Sequence, residues 1–295
     1  MIREISPIQL GGSLYIPATH KNVQKICNEN RYPHLRSCII DTEDAIVADD
    51  LDLALKNISK MLETYEPKEL KVFIRPRNPH ILQEILKIKN IEKVDGFSLP
   101  KYSTTVMKEY SQIISLSSKK FNIMPVLESL DLFSLSKLEA IRDFLLSCKI
   151  PTLTLRLGGE DMMNYLGLKR RCEDNIYSLV GPASVIANVI NTFKPFGFNI
   201  SATVFNCIEQ EVLYTDNVNE DLRQGLIGKT IIHPNQIEPI NEAYKVSLDE
   251  FEMAKKMLDS QTDAIIVFEG QMGEKFAHGS WAKTILLREK FYGLK

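Results

Sequence analysis

Eight short apolar runs, each followed by a polar turn and an amphipathic stretch, restrict the folds open to this chain more than any other feature. The runs are Leu14–Pro17, Ser37–Asp41, Lys71–Arg75, Gly96–Pro100, Phe121–Leu127, Thr152–Leu157, Phe198–Ala202 and Lys229–His233. Segments apolar on both faces and bounded by turn residues are what strands buried in a parallel sheet require. Between them, apolar residues recur at helical spacing: Leu51, Leu55, Ile58 and Leu62; Leu82, Ile85 and Leu86; Leu132, Leu135, Leu138, Ile141 and Leu145. Strand and helix in alternation predict βαβ units, and eight units close into an α/β (β/α)8 TIM barrel. An open doubly wound sheet is the competing arrangement, but no GxGxxG follows the first strand.

Such a barrel takes about 250 residues, and the chain has 295. We therefore expect a barrel over residues 1–246 and a C-terminal helical extension over 247–295. The extension reads as a helix at Leu248–Asp259, a strand at Ala264–Phe268 and a last helix at Ser280–Phe291, serving as a lid or an oligomer contact. A net charge of −2 gives no basic excess for nucleic acid or a membrane surface. No apolar run reaches the roughly 18–20 residues of a membrane span, and the N-terminus lacks an apolar signal core. The five cysteines, at 27, 38, 148, 172 and 207, show no CxxC spacing and read as reduced, mostly buried thiols of a cytoplasmic protein.

The polar residues fall where a barrel enzyme needs them. Active sites of such barrels lie at the C-terminal ends of the strands. Just past those ends stand Asp41, Glu43 and Asp44, then Arg75 and Arg77, Lys101, Glu128, Glu160 with Asp161, and His233. Glu128 and Asp161 follow adjacent strands, so two like charges meet in a low-dielectric mouth unless a cation intervenes. Mg²⁺ suits that pair, because one or two carboxylates with substrate oxygens and water complete its octahedron. The plain alternative is that each acid caps the helix that follows. Arg75 is the natural carboxylate clamp, given its planar fork, with a surface salt bridge as the plain alternative. Lys101 reads either as an anion contact or as the partner of one of the acids.

Three acids within Asp41–Asp44 exceed the needs of a helix cap, so one of them is expected to position a water or bind a basic neighbour such as Lys101. His233 reads equally as a structural hydrogen-bonding residue and as a substrate contact. Lys169, Arg170 and Arg171 form the only basic run, which is either a solvated helix face or, through Arg170 and Arg171, a contact for a substrate phosphate.

These segments, in this order, resemble the citrate lyase β-subunit-like proteins of the HpcH/HpaI aldolase superfamily. Leu14-Tyr15-Ile16-Pro17-Ala18 is similar to an opening hhxPG strand, Ile40-Asp41-Thr42-Glu43-Asp44-Ala45 to hDLEDAV, and Ile74-Arg75-Pro76 to VRV. Leu99-Pro100-Lys101 resembles LPK, Val126-Leu127-Glu128-Ser129 resembles hIET, and Gly158-Gly159-Glu160-Asp161-Met162 resembles GxEDL. The stretch from Gly228 to Ile237 follows GKxxIHPxQI closely. The resemblance implies a Mg²⁺-dependent barrel with Glu128 and Asp161 as metal ligands and Arg75 on the substrate carboxylate. It also implies lyase chemistry through an enolate, often of an acyl-CoA thioester. A homotrimer or hexamer is implied as well, in which Glu274, in a tail similar to DGxMhD, reaches a neighbour's site.

Two segments depart from the pattern. Pro17-Ala18-Thr19-His20-Lys21-Asn22 replaces PGxRPxR, and Ile200-Ser201-Ala202-Thr203-Val204-Phe205-Asn206 replaces IDGVYxD. The expectation is a carbon–carbon lyase acting on a small oxo or hydroxy acid or its CoA thioester. The competing readings are a class II 2-oxo-acid aldolase, a lyase for a phosphorylated sugar-like substrate, and a barrel that binds without catalysis.

Overall fold

The structure, a computed structural model, describes residues 3–259, 265–268 and 271–295. The chain divides into two units, one ending at Ile237 and one running from Glu238 to Lys295. In the first unit the eight expected strands all form. They are β1 (Gly12–Pro17), β2 (Ser37–Asp41), β3 (Lys71–Arg75), β4 (Gly96–Leu99), β5 (Asn122–Leu127), β6 (Leu155–Leu157), β7 (Ile200–Ser201) and β8 (Lys229–Ile231). All pair in parallel, in the order β7-β6-β5-β4-β3-β2-β1-β8. A bridge between Ala202 and Lys229 joins the two edges, and the Ala202 N–H donates to the Gly228 carbonyl at 2.9 Å. A closed barrel results.

The connecting helices are α1 (Val23–Asn28), α2 (Leu51–Thr64), α3 (Pro79–Leu86), α4 (Met107–Ser115), α5 (Leu135–Ser147), α6 (Gly159–Tyr165), α7 (Val180–Phe193) and α8 (Glu211–Arg223). Their buried faces are those that the apolar spacing marks, with small rotations. On α2 the deeply buried residues are Ala54, Ile58, Met61 and Leu62, while Leu51 and Leu55 flank them. On α5 Leu138, Ile141 and Leu145 are buried, and Leu135, in the first turn, is exposed.

Two layers fill the barrel. An apolar plug of Leu10, Ile39, Phe73, Met124 and Leu153 carries Tyr15 packed against it. Arg75, Glu128 and Arg156 sit beyond the plug, towards the strand C-termini, while a separate polar network joins the start of β8 to α8. Lys229 on β8 is fully buried, and its three donors are all taken. Nζ lies 2.7 Å from Asp221 Oδ2, 2.7 Å from Asn217 Oδ1 and 2.7 Å from the Thr203 carbonyl. Tyr177 donates its hydroxyl to the other Asp221 oxygen at 2.5 Å. This network ties α8 to β8 and to the segment after β7. Its sequence signal is a lysine opening an apolar strand.

The cysteine expectation is corrected in part. Cys172 and Cys207 form a disulfide with their Cα atoms 5.8 Å apart, a separation normal for such a bridge. Spacing along the chain could not reveal it, because the fold brings the loop after α6 to the loop after β7. The cysteines therefore do not indicate a reducing compartment. Cys27, Cys38 and Cys148 remain thiols, with Cys27 and Cys38 Sγ atoms 4.0 Å apart in the interior.

The second unit contains most of α9 (Ile237–Tyr244), α10 (Leu248–Leu258), an antiparallel hairpin of β9 (Ile265–Phe268) and β10 (Gln271–Glu274), and α11 (Lys275–Tyr292). Ser247 and Glu250 form a capping box at the start of α10. Val246, Ala254, Met257, Ala282 and Ile285 form its core. Ala264, the expected first residue of the tail strand, and Glu269 and Gly270 of the DGxMhD-like tail lie outside the described residues. No described helix is long and apolar enough to cross a membrane.

Removing Lys229 strands Asp221 in the interior, so Lys229→Ala is expected to cost about 3–5 kcal/mol in urea denaturation. Lys255→Ala, which breaks an exposed pair with Glu252 on α10, is expected to cost about 0–1 kcal/mol in the same experiment.

Candidate active site

A cavity of about 310 Å³ opens at the C-terminal ends of the strands. Among its lining residues are Asp41, Asp44, Arg75, Glu128, Glu160 and Asp161, which the strand-end reading singles out. Tyr15, Arg156, Asn206 and Thr230 join them. Glu128 follows β5, and Asp161 sits in the first turn of α6, directly after β6. The two acids therefore converge on one mouth.

Local backbone explains how Glu128 is held. Lys101 adopts a left-handed conformation (φ 49°) after β4, uncommon for a residue with a side chain, and donates its N–H to Glu128 Oε1 at 2.7 Å. On the other side stands Gly158. A Cβ there would lie 2.2 Å from Glu128 Cβ and 2.7 Å from Oε2, so glycine is what leaves room for this carboxylate. Neither Glu128 nor Asp161 has an ion-pair partner among the described residues. Burial, reinforced by the nearby Glu43 charge, pushes the Glu128 carboxyl up to about 8. Burial and the Asp44 charge raise Asp161 above the usual carboxylate range.

The other acids are paired. Asp41 takes the fork of Arg75, with Oδ1 2.6 Å from Nε and Oδ2 2.7 Å from Nη2. It also accepts the Glu43 and Ala45 N–H groups at 3.0 and 3.2 Å, which fixes the loop after β2. Arg75 Nη1 lies 2.7 Å from Glu43 Oε2 and 3.6 Å from Asp44. Burial works against the Arg75 cation, but Asp41 and its neighbours outweigh it and raise its pKa. Lys101 Nζ donates to Glu43 Oε1 at 2.7 Å and lies 3.5 Å from Asp44. Glu43 is buried behind the cavity wall and links Arg75 to Lys101. Burial lifts its carboxyl to about 7 against the pull of Arg75. Arg77 donates to the Thr42, Glu43 and Ile46 carbonyls and braces the same loop, so it acts on the scaffold.

Other expected contacts lie elsewhere. His233 accepts the Asn235 N–H at 3.3 Å through Nδ1, capping the turn that follows β8, and does not line the cavity. Arg170 and Arg171 line or flank a second depression with Asp174; Arg170 Nε donates to the Asp174 carbonyl and its guanidinium stacks on Phe205. Glu274 ends β10 in the second unit, and its N–H donates to His278 Nδ1 at 3.0 Å. Arg156 is the residue the strand reading overlooks. Its signal is a single cation inside the otherwise apolar run Leu153-Thr154-Leu155-Arg156-Leu157.

No described cluster holds three or more metal-ligating side chains together. Two carboxylates without cation partners, facing a cavity with room for water and substrate oxygens, nonetheless match the donor set that Mg²⁺ uses. The oxygen-only chemistry fits a hard divalent ion and does not fit zinc.

A family model described as a C–C bond lyase of the TIM-barrel fold matches residues 4–294. No curated protein matches the chain in sequence. Among solved structures, Mycobacterium tuberculosis CitE, in complex with magnesium, acetoacetate and coenzyme A, is 20% identical with a TM-score of 0.69, over 96% of this chain and 99% of that one. A citrate lyase of Burkholderia xenovorans is 14% identical with a TM-score of 0.75, over 99% of this chain and 97% of that one. RipC of Yersinia pestis is 18% identical with a TM-score of 0.61, over 83% of this chain and 99% of that one. At these identities the likeness is one of fold.

An isolated buried carboxylate opposes folding once it ionises. With its folded pKa near 8 and an ordinary unfolded value, Glu128 lowers the stability of the metal-free protein as pH rises between those values. Glu128→Gln is expected to raise the metal-free Tm at pH 8.5 by roughly 2 °C or more, and to change it little at pH 4.5. Differential scanning calorimetry in EDTA at both pH values checks this.

Proposed function

Because the chain belongs to the C–C bond lyase family of the TIM-barrel fold, we propose that it is a Mg²⁺-dependent lyase that cleaves or forms a carbon–carbon bond beside a carboxylate. Its substrate is a small oxo or hydroxy acid. The observation that carries this reading is that Glu128 and Asp161 line one cavity and lack ion-pair partners among the described residues. The CitE structure that holds magnesium and acetoacetate has the same fold and supports the choice of ion and substrate class.

Glu128 and Asp161 hold the ion, and the Lys101 N–H and the gap at Gly158 fix the first of them. Bound there, Mg²⁺ supplies the positive charge that polarises an oxo group and steadies negative charge on oxygen. In the cleavage direction a base removes the proton of the hydroxyl, the carbon–carbon bond breaks, and its electron pair leaves on the carbonyl-bearing fragment as an enolate. That fragment is then protonated. Asp44, which faces the cavity, accepts the hydroxyl proton or positions a water that does so. Arg75 is oriented by Asp41 and lines the cavity, where it binds the substrate carboxylate. Glu43, behind the wall, couples Arg75 to Lys101 and so acts as a positioning residue. The same reading makes the chain a homo-oligomer in which Glu274 of one copy completes the cavity of the next; light scattering that returns a monomer contradicts this part.

Calorimetric titration with Mg²⁺ at pH 8 tests the metal assignment. Glu128→Ala and Asp161→Ala are each expected to weaken binding by roughly 10–100-fold or more, and Gly158→Ala to weaken it by displacing Glu128. Unchanged affinity in the first two variants removes the proposed mechanism.

A further inference from the structure

Two arginines line the cavity, and they differ in one respect. Arg75 is neutralised by its own loop, whereas Arg156 has no carboxylate within ion-pair distance among the described residues. Arg156 projects from β6 and is only 1% exposed. Its Nη1 and Nη2 donate to neutral hydroxyls, Ser13 Oγ at 3.3 Å and Thr230 Oγ1 at 2.7 Å. Its Nε–H is buried and has no partner. The guanidinium carbon lies 5.5 Å from the centroid of the Tyr15 ring, on which Arg75 also stacks at 4.9 Å. Tyr15 packs on the apolar plug, so Arg156 forms part of the floor of the cavity above it.

A permanently charged guanidinium held by two hydroxyls and an aromatic ring is poorly compensated, and Arg cannot shed its proton to escape. Merely bridging β6 to β1 and β8 would not require a cation, because both acceptors are neutral hydroxyls. The unused Nε–H and the remaining Nη–H form a planar edge that matches a carboxylate.

We propose that Arg156 binds a second carboxylate of the substrate, so that the protein prefers small oxo acids charged at both ends. This deepens the lyase reading, which supplies the metal end of the same cavity. The cavity volume, at the small end for ligand sites, suits an acid of this size. Arg156 is thus a specificity-determining residue.

The test compares binding of paired ligands by calorimetry, with and without Mg²⁺. Oxaloacetate is paired with 2-oxobutyrate, and 2-oxoglutarate with 2-oxopentanoate; within each pair one end changes from carboxylate to methyl. The wild-type protein is expected to prefer a dicarboxylate by about 10-fold or more. Arg156→Met, and Arg156→Lys as a charged variant without the fork, are each expected to reduce that preference to under about 3-fold. Affinity for the one-ended acid and for Mg²⁺ stays as in the wild type, which a general structural lesion would not permit. No preference in the wild type for either pair, no binding of any of the four acids, or a preference that survives both substitutions overturns the proposal. A wild-type protein that binds no Mg²⁺ but shows the preference, with the preference lost in both variants, would instead count against the lyase reading and leave Arg156's role standing.

Discussion

The mouth of the barrel depends on one uneasy placement: the Glu128 carboxylate is buried without a lysine or arginine ion-pair partner among the described residues. Backbone alone keeps it there, through the Lys101 N–H on one side and the missing side chain of Gly158 on the other. Both devices carry a cost. Lys101 sits in a left-handed conformation, and Gly158 gives up any packing of its own. A fold tolerates such costs where the group held has a use beyond stability.

Around that carboxylate the charges divide by partner. Asp41, Glu43 and Asp44 bind Arg75 and Lys101 in one connected network. Glu128 and Asp161 stay outside it, and so does Arg156. The cavity thus presents an acidic side and a cationic floor. A ligand with a divalent ion near one end and a negative group at the other compensates both.

Much of this was legible in the sequence. Buried parallel strands are apolar on both faces, so all eight stood out, and β2 and β3 end where the apolar runs end. The acids and Arg75 were legible because barrel chemistry collects at strand C-termini. The boundaries of β6 and β7 were not. Thr152 keeps only an isolated bridge to Ile123, and β7 is two residues long, because ladder pairing there ends before the apolar pattern does. Arg156 and Lys229 were hidden for a common reason: a cation within an apolar run does not reveal whether it points inward. His233, Arg170 and Arg171 followed the right strands, but capping and loop bonds turn them from the cavity. The Cys172–Cys207 bridge is a tertiary fact with no local signature.

Anomalous diffraction from crystals soaked in Mn²⁺, a spectroscopically visible stand-in for Mg²⁺, addresses the central claim at the atomic level. The account predicts one strong peak in the mouth of the barrel, with a Glu128 oxygen and an Asp161 oxygen each at about 2.1–2.3 Å. A mouth without a peak, or an ion bound by only one of these acids or by neither, contradicts it.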